Sequence, residues 1–160
     1  MGTKSGIPLI VFFLCFLVLH SPIEAQPFKN WEKAYFPRGV DKISFGMSYD
    51  DLRKKRKNTQ TSRDSNDSFR FILQEQVDEQ EFIDLIYYID KDGEKPLYEV
   101  LVVYPIGTDV REVAEELYGA PNQGEEWWFE HPNGYPINIW VYEQKLVIAA
   151  VLPDTEWDKD

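Results

Sequence analysis

The sequence is almost without cysteine and histidine, which limits the chemistry that it can support. Cys15 is the only cysteine among the 160 residues, and His20 and His131 are the only histidines. Cys15 lies inside the apolar run at residues 7–19, IPLIVFFLCFLVL. If that run is removed with a signal peptide, the remaining chain cannot form a disulfide, a thiol nucleophile or a thiolate metal site. Such a domain must be stabilised by its hydrophobic core alone, and residues 26–160 are enough to form one.

The common catalytic motifs are also missing. None of the G-x-S-x-G, H-E-x-x-H or phosphate-binding-loop patterns occurs in the sequence. His131 stands beside Pro132-Asn133-Gly134, a turn signal, and this favours a strand-end residue over a catalytic base. Acidic residues are so numerous that close carboxylate pairs arise by chance and indicate little. The sequence therefore predicts a protein that is not an enzyme and that needs no cofactor.

One segment has part of the spacing of a calcium loop. Asp64, Asn66, Ser68 and Glu75 stand where an EF-hand places ligands, but Phe69 occupies the position that requires glycine for the tight turn. The segment also continues into a strand pattern and not into a helix. We therefore expect no metal site.

The N-terminal segment has the three parts of a secretory signal peptide. Lys4 provides a positive charge, residues 7–19 are apolar, and Pro22 and Ala25 precede the expected cleavage before Gln26. An uncleaved anchor is the first alternative, but the apolar run is shorter than a membrane-spanning helix requires. A lipoprotein is the second, but Cys15 lies within the apolar run and follows bulky residues. We expect a protein exported to the periplasm or the extracellular space, without a stable membrane anchor after cleavage.

The charge of the chain restricts its partners. The net charge is −11, and removal of residues 1–25 takes away one base and one acid, so it does not change. Nucleic acids and anionic membranes are polyanions and are disfavoured as partners. A partner protein with a basic surface is favoured.

Short helices and strands are predicted after an irregular lead-in at 26–42. Ser48 is a good N-cap for a first helix, whose basic end at 53–57 is better explained by the helix dipole than by a binding patch. Apolar residues at helical spacing predict a second helix over 108–119, with Gly119 as its C-terminal glycine. Alternating patterns predict strands at 69–77, 82–90, 97–104, 125–131, 137–143 and 145–152.

The two helix starts resemble each other. A shift of 61 residues places Gly46 on Gly107 and Ser48 on Asp109, and each helix is followed by three predicted strands. We therefore predict a single α+β domain over 43–160 built from two helix-plus-three-strand repeats, at 43–105 and 106–152, followed by a short acidic tail. The expected architecture is an antiparallel sheet with helices packed on one face.

The motifs of the second repeat resemble those of a known family. They are a G-x-D-x-x-E-V helix start at 107–113, an L-Y-G-A-P helix end at 117–121, the aromatic strand residues 127–129, and a closing strand with K-L-V at 145–147. This order resembles the SmpA/OmlA family of outer-membrane assembly lipoproteins, and two such units resemble the arrangement in β-lactamase inhibitor proteins. The lipidated cysteine of the lipoproteins is missing here. The resemblance implies the α+β fold described above and a protein-binding role in the cell envelope.

The predicted sheet has one aromatic face. If Ile137, Ile139 and Val141 point to the helices, then their neighbours along the strand point away. Trp, Tyr and Arg on an open sheet face are typical of protein-binding hot spots. The alternative is that Trp127, Trp128 and Trp140 fill a second small core under the lead-in. The candidate binding residues are Arg70, Tyr88, Trp128, Asn138, Trp140 and Tyr142.

These observations favour an exported, non-enzymatic binding module that contacts another envelope or secreted protein. Two alternatives stay open at this point. One is a secreted carbohydrate hydrolase that uses two carboxylates. The other is a protein that binds a glycan or another small ligand on its tryptophans.

Overall fold

The computed structural model describes residues 35–62, 69–77, 81–92, 94 and 96–158. The predicted signal peptide and most of the lead-in lie outside these residues. The helices are α1 (Tyr49–Lys55) and α2 (Val110–Tyr118), and a 3₁₀ turn spans Glu156–Asp158. The strands are β1 (Gln60–Thr61), β2 (Arg70–Gln76), β3 (Asp84–Asp90), β4 (Leu97–Val103), β5 (Trp127–Glu130), β6 (Pro136–Tyr142) and β7 (Lys145–Ala150).

The predicted architecture of two helix-plus-three-strand repeats is wrong. The described residues form one seven-stranded antiparallel sheet in the order β1-β2-β3-β4-β7-β6-β5, with only two helices of seven and nine residues. β4 and β7 pair with each other in the middle of this order, so the strands make one sheet. α1 buries only Leu52, and α2 buries only Val110 and Ala114. The sheet, and not the helices, therefore supplies most of the core.

The main core lies between the sheet and the two helices. One row of paired residues crosses all six longer strands, and each of its side chains is at most 1% exposed. Its members are Leu73, Tyr87, Val100, Ile148, Ile139 and Trp127. Alternate positions of each strand point to this face because successive side chains of a strand point to opposite sides. The prediction that Ile137 and Ile139 face the core is confirmed.

The two central strands are covered on both faces. Six of the seven residues of β4 and five of the six residues of β7 are buried. A strand that is covered on one face alternates between apolar and polar residues, whereas one covered on both faces is continuously apolar. Glu99 is the exception, since it is the only charged residue of β4.

Both helices begin at the N-caps that the sequence predicts, and the second ends at the predicted glycine. Ser48 caps α1 by accepting a hydrogen bond from the Asp51 backbone N–H at 3.2 Å, and Asp109 caps α2 through Glu112 at 3.0 Å. Gly119 ends α2 with a φ of +78°, a conformation that glycine adopts without strain.

The described part of the lead-in packs into the main core. Tyr35, Phe36 and Val40 are buried, and the Tyr118 hydroxyl donates to the Tyr35 carbonyl oxygen at 2.7 Å. Among the described residues, no helix has both the length and the apolar character that a membrane span requires.

Candidate binding face

All six predicted binding residues lie on the face of the sheet that points away from the helices. We call this side the aromatic face. Tyr88, Asn138 and Trp128 stand in one row across the sheet, in register with Glu99 and Ala149. Trp140 and Tyr142 follow at alternate positions of β6, and Arg70 lies near the start of β2. The strand alternation read from the sequence therefore places these side chains correctly.

The six residues do not form one continuous open surface. Trp128 is 40% exposed and Tyr142 is 58% exposed, whereas Arg70, Tyr88, Asn138 and Trp140 are half-buried. The exposed pair stands on β5 and β6, at one end of the sheet. The structure thus divides the predicted site into an exposed part around Trp128 and Tyr142 and a covered part toward β3 and β4.

The exposed part carries both charge and aromatic surface. The Lys145 amine lies 5.2 Å from the centre of the Tyr142 ring and 3.3 Å from the Glu143 carboxylate. Glu130 is exposed on the same face, two residues after Trp128. Asn138, between Trp128 and Ala149, has a buried carboxamide oxygen with no hydrogen-bond partner among the described residues. Exposed rings beside charged groups of both signs are suited to contact with a polar protein surface.

The C-terminal segment covers the other part of the aromatic face. We call residues 152–158 the C-terminal strap. The Trp157 indole N–H donates to the Glu99 carboxylate at 2.8 Å, and its ring meets the edge of the Trp140 ring at a centroid distance of 5.5 Å. The sequence interpretation treated this segment as an acidic tail. A lone tryptophan in an otherwise polar terminus was the signal that it packs against the domain.

Arg70 contacts another residue of the strap, Glu156. Its guanidinium group lies 3.3 Å from the Glu156 carboxylate and 4.1 Å from the centre of the Tyr88 ring. The Tyr98 hydroxyl donates to the same Glu156 oxygen at 2.7 Å. Burial raises the pKa of the Tyr98 hydroxyl, and the Glu156 carboxylate raises it further. Arg70 and Tyr88 therefore belong to an internal network of charges and rings and not to an open surface.

Glu99 is the ionisable group that sequence reasoning missed. It is 4% exposed, and burial raises its pKa from 4.5 to about 7. The Glu156 carboxylate adds to this rise, while the Trp157 N–H and Arg70 oppose it. The signal in the sequence was a single glutamate within the apolar strand β4. The Trp157 side chain covers Glu99, since its indole N–H donates to the Glu99 carboxylate at 2.8 Å.

The three tryptophans at 127, 128 and 140 do not fill a second core together. Trp127 is 1% exposed within the main core, where its indole N–H donates to the Gly119 carbonyl oxygen at 2.8 Å. Trp128 points to solvent on the opposite face, and Trp140 packs against the strap. The alternative of a shared core under the lead-in is therefore wrong.

The outer edge of β5 is closed by a side chain. Asn122 accepts a hydrogen bond from the Trp128 backbone N–H at 2.7 Å and donates to the Trp128 carbonyl oxygen at 2.8 Å. The carboxamide thus occupies the place of a neighbouring strand. At the other edge of the sheet, β1 is only two residues long. Blocked and short edges disfavour the addition of a further strand.

Residues considered for metal or acid–base chemistry have structural partners. Glu75 accepts hydrogen bonds from Arg56 at 2.8 Å and from the Tyr87 hydroxyl at 3.0 Å, within the main core. The other candidate calcium ligands, 64–68, lie outside the described residues. His131 is buried, stacks on Tyr135 at 4.2 Å and accepts from the Asn133 backbone N–H. Within the described residues, no group of three or more His, Cys, Asp or Glu side chains is arranged to hold a metal ion.

Comparison with known proteins gives no match to a family model, to a curated protein or to a solved structure. The resemblance to the SmpA/OmlA family therefore stays a prediction from short motifs.

Proposed function

We propose that residues 26–160 form an exported, non-enzymatic module that binds another protein of the cell envelope or the secreted fraction through the exposed part of the aromatic face. The observation that carries the proposal is the exposure of Trp128 and Tyr142 on two adjacent, paired strands of the sheet. Trp128 pairs with Asn138 on β6, and Tyr142 lies four residues further along that strand. The positions of the two aromatic residues are therefore about 13 Å apart along the strand direction. Aromatic side chains of this kind dominate the energy of protein interfaces.

The charge of the molecule supports a partner with a basic rim. The net charge of −11 attracts such a surface over a distance, and Glu130 and Glu143 flank the exposed rings. Complementary charge raises the association rate and selects among partners. The same charge disfavours nucleic acid.

The sheet edges support contact through the face. A peptide that adds a strand needs free backbone groups at an edge. Asn122 already pairs with both backbone groups of Trp128, and β1 offers two residues only. Side chains of the aromatic face are therefore the groups that a partner can reach.

Site-specific photo-crosslinking in the native envelope fraction tests this proposal. The photoreactive residue p-benzoylphenylalanine replaces Tyr142 in one variant and Ile106 in the control. Ile106 is 98% exposed and lies on the loop between β4 and α2, outside the strands that form the aromatic face. We expect a discrete adduct with a second protein from the Tyr142 position and not from the Ile106 position.

A second variant tests whether the adduct depends on the proposed binding surface. Trp128→Ala, combined with the photoreactive residue at 142, should reduce the adduct by about tenfold or more, since a hot-spot aromatic contributes roughly 2 kcal/mol. Equal adducts from positions 142 and 106, or an adduct that survives Trp128→Ala unchanged, would contradict the proposal.

A further inference from the structure

The strap is attached to the sheet through side chains. The last backbone bond between this end of the chain and a neighbouring strand is Val151 N–H to the Pro136 carbonyl oxygen, at 2.9 Å. Beyond it, the Leu152 N–H donates to the Ala150 carbonyl oxygen of β7 at 3.0 Å, and the following bonds are within the strap. The Leu152 carbonyl oxygen accepts from the Thr155 hydroxyl at 2.7 Å, and the Asp158 carboxylate accepts from the Asp154 N–H at 2.9 Å. The strap is therefore a small unit with its own internal bonds, and it can leave the sheet without breaking a ladder of strand hydrogen bonds.

Buried apolar residues of the same sheet face lie next to Glu99. Ala149 is the pairing neighbour of Glu99, and Leu101 pairs with Val147 in the next row of the same face. These three apolar side chains are 1%, 7% and 3% exposed, respectively. Trp140 pairs with Val147 and lies on β6, the strand that carries Tyr142. It therefore links these apolar residues to the exposed part of the aromatic face. Release of the strap would uncover Glu99 and the side of the Trp140 ring that Trp157 contacts, and would so extend the exposed part of the aromatic face.

The charged and titratable groups around Glu99 come from the strap and from β2, β3 and β4. On the strap, the Trp157 indole N–H donates to Glu99, and the Glu156 carboxylate lies close enough to oppose its ionisation. On β2, Arg70 favours the ionised form but is itself paired with Glu156. On β4, the neighbouring Tyr98 hydroxyl donates to Glu156. The residues that pair with Glu99 are Tyr88 on β3 and Ala149 on β7. Glu99 therefore lies between an aromatic cover and a second carboxylate, and among the described residues the cation that acts on it, Arg70, is the one paired with Glu156.

We propose that the C-terminal strap is a pH-dependent latch, closed over Glu99 when this residue is protonated and released when it is ionised, so that ionisation uncovers the central part of the aromatic face. The latch itself does not depend on the proposed function. Only its consequence rests on that function, since an uncovered face would enlarge the surface available to a partner.

The direction of the pH dependence of strap closure follows from the pKa of Glu99. With the strap closed this pKa is about 7, whereas a solvated glutamate has the ordinary value of 4.5. The closed form thus binds a proton more tightly than the open form. Closure is strongest below pH 4.5, and the ratio of closed to open molecules falls about tenfold per pH unit as the pH rises toward 7.

The indole N–H of Trp157 reports on the latch directly. We would label residues 26–160 with ¹⁵N-tryptophan, assign the Trp157 signal with the Trp157→Phe variant, and record spectra and heteronuclear NOE values from pH 4.5 to 8.5. In the wild-type chain the Trp157 signal should move toward the position of a solvated indole, and its NOE should fall to that of a mobile group. The Trp127 signal, from the main core, should keep its NOE throughout.

Matched variants give the controls. Glu99→Gln keeps a neutral acceptor for the indole N–H, so its strap should stay closed over the whole pH range. Glu130→Gln, a change of an exposed glutamate on the same face, should behave as the wild type does. A Trp157 NOE that stays high at pH 8.5 in the wild type would overturn the latch, even if the signal shifts with the ionisation of Glu99. A loss of NOE that is the same in Glu99→Gln would overturn it as well.

These measurements use the isolated protein, so they are independent of any partner. Loss of the latch with a retained crosslink at position 142 would leave the proposed function standing. A working latch without that crosslink would leave the strap as a conformational device whose consequence is not partner binding.

Discussion

Arg56 is the one buried member of the basic run at 53–57. Its side chain reaches across to β2, where Nε lies 2.8 Å from the Glu75 carboxylate, and Nη1 lies 3.2 Å from Asp41. The Tyr87 hydroxyl donates to the same Glu75 oxygen, and burial raises the pKa of this hydroxyl. Each charge is thus compensated inside the core. A single buried charge without its partner would be strongly unfavourable.

Removal of one partner should therefore destabilise the fold. We expect Glu75→Ala to lower the free energy of unfolding by about 3–5 kcal/mol, because Arg56 and Tyr87 lose their shared acceptor. Urea unfolding of residues 26–160, followed by tryptophan fluorescence, measures this change. Lys57→Ala is the matched control from the same basic run, is exposed, and should stay within about 0.5 kcal/mol of the wild type. Similar losses for the two variants would show that the ion pair is not an essential part of the core.

At the scale of single elements, the outer edge of β5 is closed by a residue outside the sheet. It is four residues long, and the Asn122 carboxamide bonds to both backbone groups of Trp128 at its outer edge. Arg111 of α2 lies 4.9 Å from the Trp127 ring on the other side of the strand. Asn122 of the preceding loop and Arg111 of α2 therefore hold this strand. The alternation of residues within β5 predicts neither contact.

Loss of the Asn122 side chain should open this edge. In Asn122→Ala the N–H and C=O groups of Trp128 become available to another chain, next to an exposed tryptophan. We expect the weight-average mass in light scattering to rise with protein concentration more steeply than for the wild type. Gln123→Ala, an exposed neighbour in the same loop, serves as the control. A mass that follows the wild type at all concentrations would indicate that the edge is protected by other means.

The described residues form a single sheet, with the helices and residues 35–42 on one face and the C-terminal strap over part of the other. This second cover places Glu99 in the interior. Folding therefore raises the affinity of this group for a proton. Its contribution to stability is complete below pH 4.5 and is lost as the pH rises to about 7.

The pH dependence of stability should report this effect. Replacement by the neutral Glu99→Gln should make the protein more stable than the wild type at pH 8, by up to about 3 kcal/mol, and the difference should shrink toward pH 4.5. Urea unfolding at a series of pH values gives the two curves, and their difference removes the contributions of the other groups. A difference that does not vary with pH would mean that Glu99 titrates normally in the folded protein.

Sequence patterns were sufficient for the local parts of the structure. Both N-caps, Gly119 and the six longer strands can be recognised because they depend on neighbouring residues and on side-chain alternation. The same alternation assigned Arg70, Tyr88, Trp128, Asn138, Trp140 and Tyr142 to one face. The strand β1 was missed because two polar residues carry no pattern.

Tertiary structure alone decided how these parts combine. The pairing of β4 with β7 merges the strands into one sheet, and nothing in either strand's own sequence specifies that partner. The position of the strap is set by Glu156 and Trp157, which meet residues 86 and 58 positions away. Which aromatics are exposed therefore depends on contacts between distant segments. The sequence by itself determined the faces of the strands, because alternation is local, whereas only the folded chain determined which part of the aromatic face is open.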